Sequence, residues 1–150
     1  MAMKPRSRTR PRAGGALFER FRKSGFREPS QAAAVWNRLA ADPVARRPLG
    51  KIRAHLLRAC GRSADPDRAL VNFERLVAAL PNAAMLYRYL AAAPDRLELL
   101  VTLFAHSQAL ADTLTRDAKF FHFLIAPRSL ARKWSMKVMR GLVSRAALAA

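Results

Sequence analysis

Three features of the sequence predict an all-α fold, a compact array of short helices. Ala and Leu supply much of the 51% of residues that are hydrophobic, while β-branched residues and Gly are scarce. Ala and Leu lose little conformational entropy in a helix and β-branched residues lose more. Helix-opening and helix-closing residues recur about every 10–15 positions. No segment shows the period-two alternation of a half-buried strand. At 150 residues the chain is one domain's worth, long enough to bury roughly 68–70% of its unfolded surface.

Taken in order, residues 1–28 read as a disordered, flexible basic arm. Lys4, Arg6, Arg8, Arg10 and Arg12 alternate with Pro5, Ser7, Thr9 and Pro11, a pattern that repels itself and has nothing to bury. Leu17 to Lys23 is compatible with two basic amphipathic turns. Residues 29–127 read as a helical domain. Ser30 caps a helix through Val35, Trp36 and Leu39 that stops before Pro43. Pro48 opens the next, with Ile52, Leu56 and Ala59 inward and Gly61 as a left-handed stop. Asp65-Pro66 is an N-cap followed by a first-turn proline, ahead of Leu70, Phe73, Val77 and Leu80. Pro81 ends that helix and starts one with Met85, Leu86, Tyr89 and Leu90 inward. Pro94-Asp95 introduces Leu97, Leu100, Val101 and Phe104. Ser107 caps a helix with Leu110 and Leu114, and Asp117 one with Phe120, Phe121 and Leu124 that Pro127 ends.

Residues 128–150 read as a basic amphipathic helix or an aberrant tail. Leu130, Trp134, Val138 and Leu142 form a drifting apolar stripe, and Lys133, Lys137 and Arg140 share another face. Such a helix suits an anionic membrane surface, RNA or an acidic partner, or it is a solvated helix packing Trp134 on the domain.

The charge is extreme: 28 Lys and Arg against 10 Asp and Glu give a net of +18. Residues 1–30 and 118–150 each carry a net of +7 and residues 31–117 only +4. Polyanion contacts are therefore expected at the ends, through Arg6, Arg8, Arg10, Arg12, Lys133, Lys137 and Arg140, with nucleic acid or an anionic surface as the unspecific partner. The single cysteine, Cys60, excludes an internal disulfide and points to a reducing compartment. No transmembrane segment and no secretory leader are expected, since neither an apolar run of about 18 residues nor an N-terminal h-region exists. The Arg-rich, acid-poor start has the character of a transit peptide, though a disordered basic tail accounts for it as well.

Catalytic motifs are missing. The glycines form no phosphate-cradling loop. His55, His106 and His122 lack the partners of a metal site and are expected at the surface or its boundary. Cys60 is expected to be a small apolar residue near a helix end. Asp65-Pro66-Asp67 has the D-x-D spacing that polymerase-type nucleotidyltransferases use to hold Mg²⁺. On a strand, residues i and i+2 share a face and can grip a metal, but at a helix start they point apart. A capping role is expected instead. Phe120, Phe121 and Phe123 are expected in a core, not on a stacking platform. No catalytic, cofactor-binding or metal-binding residue is assigned.

Residues 65–127 carry something more specific. Arg68-Ala69-Leu70-Val71-Asn72-Phe73-Glu74-Arg75-Leu76 contains an AL-x-N-x-E-R series. It is followed by P-x-x-L-E-L-L from Pro94 to Leu100, L-F-x-x-S from Leu103 to Ser107, L-x-x-x-L from Leu110 to Leu114, and Arg116-Asp117. This ordered series resembles the segment that precedes the first nucleotidyltransferase domain in bacterial glutamine synthetase adenylyltransferase/adenylyl-removing enzymes. The resemblance places Phe73, Leu76, Leu86, Leu100, Phe104 and Leu110 in the core. It implies a large cytoplasmic enzyme of nitrogen control that uses ATP and Mg²⁺ to attach AMP to a tyrosine of glutamine synthetase. A second, related domain removes the AMP by phosphorolysis, and PII signalling proteins and glutamine set the direction. In that family the Gly-Ser turn and strand-borne D-x-D lie in catalytic domains that these 150 residues do not contain. The chain departs from the pattern at Ala105-His106, where the family shows Gly, at Ala118-Lys119, where it shows Pro-Glu, and over residues 128–150. The expectation is a truncated, catalytically silent N-terminal part of such an enzyme. The alternative is a free-standing basic helical module.

Overall fold

The computed structural model describes residues 13–117, with Ser144 and Leu148. The arm residues up to Arg12, the helix expected after Asp117 and the amphipathic pattern over 128–150 lie outside the described residues, apart from those two positions.

Seven helices and no strands make up the described residues: α1 (Ala13–Lys23), α2 (Pro29–Leu39), α3 (Pro43–Arg62), α4 (Pro66–Ala79), α5 (Ala83–Ala92), α6 (Pro94–His106) and α7 (Gln108–Arg116). Local chemistry sets their starts. Pro29, Pro43, Pro66 and Pro94 each occupy a first-turn position, where the missing N–H would have had no partner. Four side chains cap as Asx or Ser residues should. Asp42 accepts from the Val44 N–H at 2.9 Å, Asp65 from Arg68 at 3.0 Å, Asn82 from Met85 at 3.1 Å and Ser107 from Leu110 at 3.2 Å.

Helix α4 is the centre of the array. It packs against α2, α3, α5, α6 and α7, while α1 lies on α2 and α3 is flanked by α5 and α6. One continuous core runs from Phe21 through Trp36, Leu49, Leu56, Phe73, Tyr87, Leu97 and Phe104 to Leu114. The Phe73 and Tyr87 rings stack at 6.3 Å across α4 and α5. Of the residues expected in the core, Phe73, Leu76, Leu86, Leu100 and Phe104 are fully buried. Leu110 is only half-buried, because Ala111 and Leu114 take the inward face of α7.

Several local expectations are corrected. Residues 13–28 are not an arm: α1 forms there, and Phe21 and Phe26 are buried. Helix α1 ends in a Schellman motif, with Phe26 N–H donating to the Phe21 carbonyl at 3.2 Å and Gly25 N–H to Arg22 at 3.3 Å. Gly25, at φ 88°, is the left-handed residue that this geometry requires. The two phenylalanine rings meet edge to face at 5.0 Å, the apolar contact that accompanies the motif.

Gly61, by contrast, is helical and has no positive φ. Helix α3 starts at Pro43 and runs through Pro48, which is buried with Ala45 and Leu49. That packing offsets the backbone bond Pro48 cannot make. Glu28, and not Ser30, is the N-cap of α2. Pro81 lies in the α4–α5 connection, with Asn82 starting α5. On α5, Met85 faces out at 50% exposure while Ala84 and Tyr87 face in.

Candidate functional site

The polar side chains of the family-like series converge where α4 meets α6 and α7. Asn72 is buried on the inner face of α4. Its amide donates to the Phe104 carbonyl of α6 at 3.1 Å and to Gln108 Oε1 of α7 at 3.2 Å. Its own carbonyl oxygen accepts from Gln108 Nε2 at 3.1 Å and from Arg75 Nη1 at 3.4 Å. Arg75 reaches on to Asp112 at 2.7 Å, and Gln108 donates to the same carboxylate at 3.0 Å. The Gln108 amide and the Arg75 guanidinium together hold the Asp112 carboxyl below its ordinary range. The amide groups of Asn72 and Gln108 thus satisfy one another in a place where an unpaired amide would be costly.

The third polar residue of the series, Glu74, faces the other way. It accepts from Arg38 of α2 at 2.5 Å and 3.1 Å, a two-point guanidinium–carboxylate contact. Asn72, Glu74 and Arg75 therefore tie α4 to α6, α2 and α7. Their chemistry is that of junctions between helices, not of a nucleophile or a proton-transfer pair.

The D-x-D carboxylates are likewise engaged. Asp65 caps α4, and Asp67 accepts the Arg27 N–H at 2.9 Å and the Glu28 N–H at 3.1 Å. Those two N–H groups precede α2, whose own cap residue makes no side-chain bond. Asp65 and Asp67 do not fit a Mg²⁺–nucleotide site, since one carboxylate is directed to a backbone donor of α4 and the other to donors in the α1–α2 connection. Among the described residues no group of three His, Cys, Asp or Glu side chains is placed to hold a metal ion.

Cys60 is fully buried at the end of α3, and burial, with Asp67 nearby, pushes its thiol up to about 12. It is the small apolar residue expected, and not a thiolate nucleophile. Of the histidines, His106 is exposed. His55 is partly buried, with Nε2 3.2 Å from Glu98 Oε1 but without hydrogen-bond alignment. His122 lies outside the described residues, as do Arg6, Arg8, Arg10, Arg12, Lys133, Lys137 and Arg140.

A basic face that the reading of the ends overlooked lies on α3. Arg46, Arg47, Lys51, Arg53, Arg58 and Arg62 are all exposed on this one helix, which contains no acidic residue. The signal was present in the sequence as an acid-free run from residue 43 to residue 64, hidden by averaging charge over the whole centre. A shallow polar groove of about 130 Å³ lies at the C-terminal end of this face, lined by Arg58, Arg62, Ser63, Glu98 and Thr102 among others. Among the described residues no helix is long and apolar enough to cross a membrane.

Comparison with known proteins agrees with the ordered series. The chain is 38% identical over 133 residues to the bifunctional glutamine synthetase adenylyltransferase/adenylyl-removing enzyme of Streptomyces coelicolor, a match covering 81% of this chain and 12% of that protein. The proteins of the same name from Streptomyces avermitilis and Mesorhizobium japonicum are 36% identical over 128 residues and 31% over 113. These matches cover 81% and 71% of this chain and 12% of each relative. No family model and no solved structure matches. The chain spans about 12% of the length of these relatives, and within that span it belongs to the glutamine synthetase adenylyltransferase/adenylyl-removing family, fitting an N-terminal segment of it.

Proposed function

We propose that this chain is a helical, catalytically silent N-terminal part of a glutamine synthetase adenylyltransferase/adenylyl-removing enzyme. Its role is to scaffold, while AMP transfer to and from glutamine synthetase belongs to catalytic domains outside these residues. ATP and Mg²⁺ would be bound by those domains, and glutamine synthetase and a PII protein would be the partners of the whole enzyme.

The observation that supports this most is the placement of Asn72. A side chain from the family-like series joins α4, α6 and α7 through three hydrogen bonds of 3.1–3.2 Å, a structural use and not a chemical one. Glu74 and Arg75 of the same series pair with Arg38 and Asp112, and the D-x-D carboxylates bind backbone.

The test is an AMP-transfer assay in two arms. The purified chain, incubated with glutamine synthetase, ATP and Mg²⁺, should transfer no AMP, and transfer by the chain alone would sink the silent role. The Streptomyces coelicolor relative, with its matching segment replaced by this chain, should keep its activity. A folded but inactive chimera would contradict the scaffold role.

A further inference from the structure

Residues 13–117 carry sixteen Lys and Arg and ten Asp and Glu. Helix α3 holds six of those bases and no acid, so the rest of the described array is balanced at ten to ten. Its whole excess charge therefore sits on one helix.

Four of the bases form a line. Arg47, Lys51, Arg58 and Arg62 share one exposed stripe by helical spacing, with Arg46 and Arg53 beside it. The stripe is about 22 Å long at 1.5 Å per residue. Only Glu98, in the groove beside Arg58 and Arg62, brings an opposite charge near it, and it forms no ion pair with them. Asp42, Asp65 and Asp67 are held by backbone N–H groups, and Glu19, Glu74 and Asp112 by Arg22, Arg38 and Arg75. Among the described residues no Arg or Lys of α3 is in an ion pair; Arg46 only donates to the Ala40 carbonyl at 3.1 Å. Like charges four residues apart repel along a helix, so the stripe is a surface that an opposite charge would relieve.

Its chemistry selects among anions. The apolar side of α3, with Leu49, Ile52 and Leu56, is buried in the core and is not free to enter a bilayer. No Phe, Tyr or Trp occurs on α3 to stack on an unpaired base, and the His55 ring is partly buried beside Glu98. In the groove beside Arg58 and Arg62 stands the Glu98 carboxylate. That group repels a continuous phosphate backbone but suits a protein surface of mixed sign. Guanidinium forks, five of the six bases here, match carboxylates at two points.

We propose that the exposed face of α3, lined by Arg47, Lys51, Arg58 and Arg62, is a docking surface for an acidic protein segment. The proposal stands on the charge distribution of this chain, independently of its family role.

The test uses the full 150-residue chain and a fluorescein-labelled Glu-rich peptide with a Lys at every fifth position, followed by anisotropy at low and moderate salt. Replacing Arg47, Lys51, Arg58 and Arg62 together by Gln should weaken peptide binding about tenfold or more. Replacing Arg6, Arg8, Arg10 and Arg12 by Gln should weaken it less, and duplex DNA affinity should fall less than peptide affinity in the α3 variant. Undiminished peptide binding by the α3 variant overturns the proposal. So does a larger loss of DNA binding than of peptide binding, since a phosphate backbone would then be the partner. Should circular dichroism show that the α3 variant does not fold, acetylation of Lys51 in the unaltered chain decides: protection by the peptide supports the surface, and unchanged labelling overturns it.

Discussion

Gly61 of α3 lies directly against Ser24 at the end of α1, so close that a Cβ on Gly61 would collide with the Ser24 carbonyl oxygen. The carbonyl carbon and Cα of Ser24 would also be within 3.5 Å and 3.9 Å of that added atom. The turn that Gly25 makes possible brings the α1–α2 corner onto the end of α3 with backbone facing backbone. Two glycines thus serve one junction for different reasons, Gly25 for its φ of 88° and Gly61 for its lack of a side chain.

Gly61→Ala should destabilise the fold by about 1–3 kcal/mol, because the obstacle is backbone and not a side chain that can swing away. Gly50→Ala is the control. It lies in the same helix with nothing within 4 Å of the added methyl, and it should stabilise by roughly 0.5–1 kcal/mol. Urea unfolding of both variants checks the pair, and equal effects would refute the close approach.

Asn72→Ala should be among the more damaging polar substitutions. It leaves the buried Phe104 carbonyl and the Gln108 amide without their partner, at about 1–3 kcal/mol for each group left unpaired. Arg75→Ala removes a half-exposed pair with Asp112 and should lose about 1 kcal/mol or less. Were the two variants to unfold at the same denaturant concentration, the junction role of Asn72 would be lost.

Asp67→Ala should lower stability by about 1–3 kcal/mol, since two N–H groups ahead of α2 lose a charged acceptor. Mg²⁺ should leave the melting temperature of the unaltered chain unchanged. A Mg²⁺-dependent rise that Asp67→Ala abolishes would restore the metal-binding reading of the D-x-D.

Alkaline pH should weaken the fold. Burial keeps the Cys60 thiol protonated up to about 12, above its ordinary value of 9.0. The unfolded chain therefore releases a proton first, and stability present below pH 9.0 is lost as pH rises towards 12. The slope is at most about 1.4 kcal/mol per pH unit for one proton. Tyr87 adds to it from 10.0 upward, its phenol also raised by burial. Thermal melts from neutral to alkaline pH should show the decline, and Cys60→Ala should flatten its first part; an unchanged slope in that variant would assign it elsewhere.

The Tyr87 hydroxyl is buried without a hydrogen-bond partner. Tyr87→Phe should therefore keep the stack on Phe73 and stabilise the chain by about 1 kcal/mol. A calorimetric melting temperature below that of the unaltered chain would show that the hydroxyl has a partner.

Class and punctuation were legible because they depend on chemistry within a few residues. A proline at a first turn and an Asp or Ser ahead of it act on their own helix, so the starts at Pro66 and Pro94 and the caps at Asp65 and Ser107 could be read locally. The inward stripe of α6 was equally plain, being set by the helical repeat. Where two local signals competed, packing decided. Pro48 looked like a start, yet burial of its ring lets α3 pass through it. Gly61 looked like a stop, yet its small size receives Ser24 from a distant helix. Residues 13–28 read as the continuation of the basic arm, with only two amphipathic turns over Leu17 to Lys23, yet Phe21 and Phe26 close one edge of the core. The roles of Asn72 and Asp67 belong to the tertiary structure alone, and so does the lack of ion pairs on α3, although its basic, acid-free run was legible in the sequence. Each depends on which groups from other helices come within hydrogen-bond reach or, for α3, fail to, and sequence spacing carries no record of those distances.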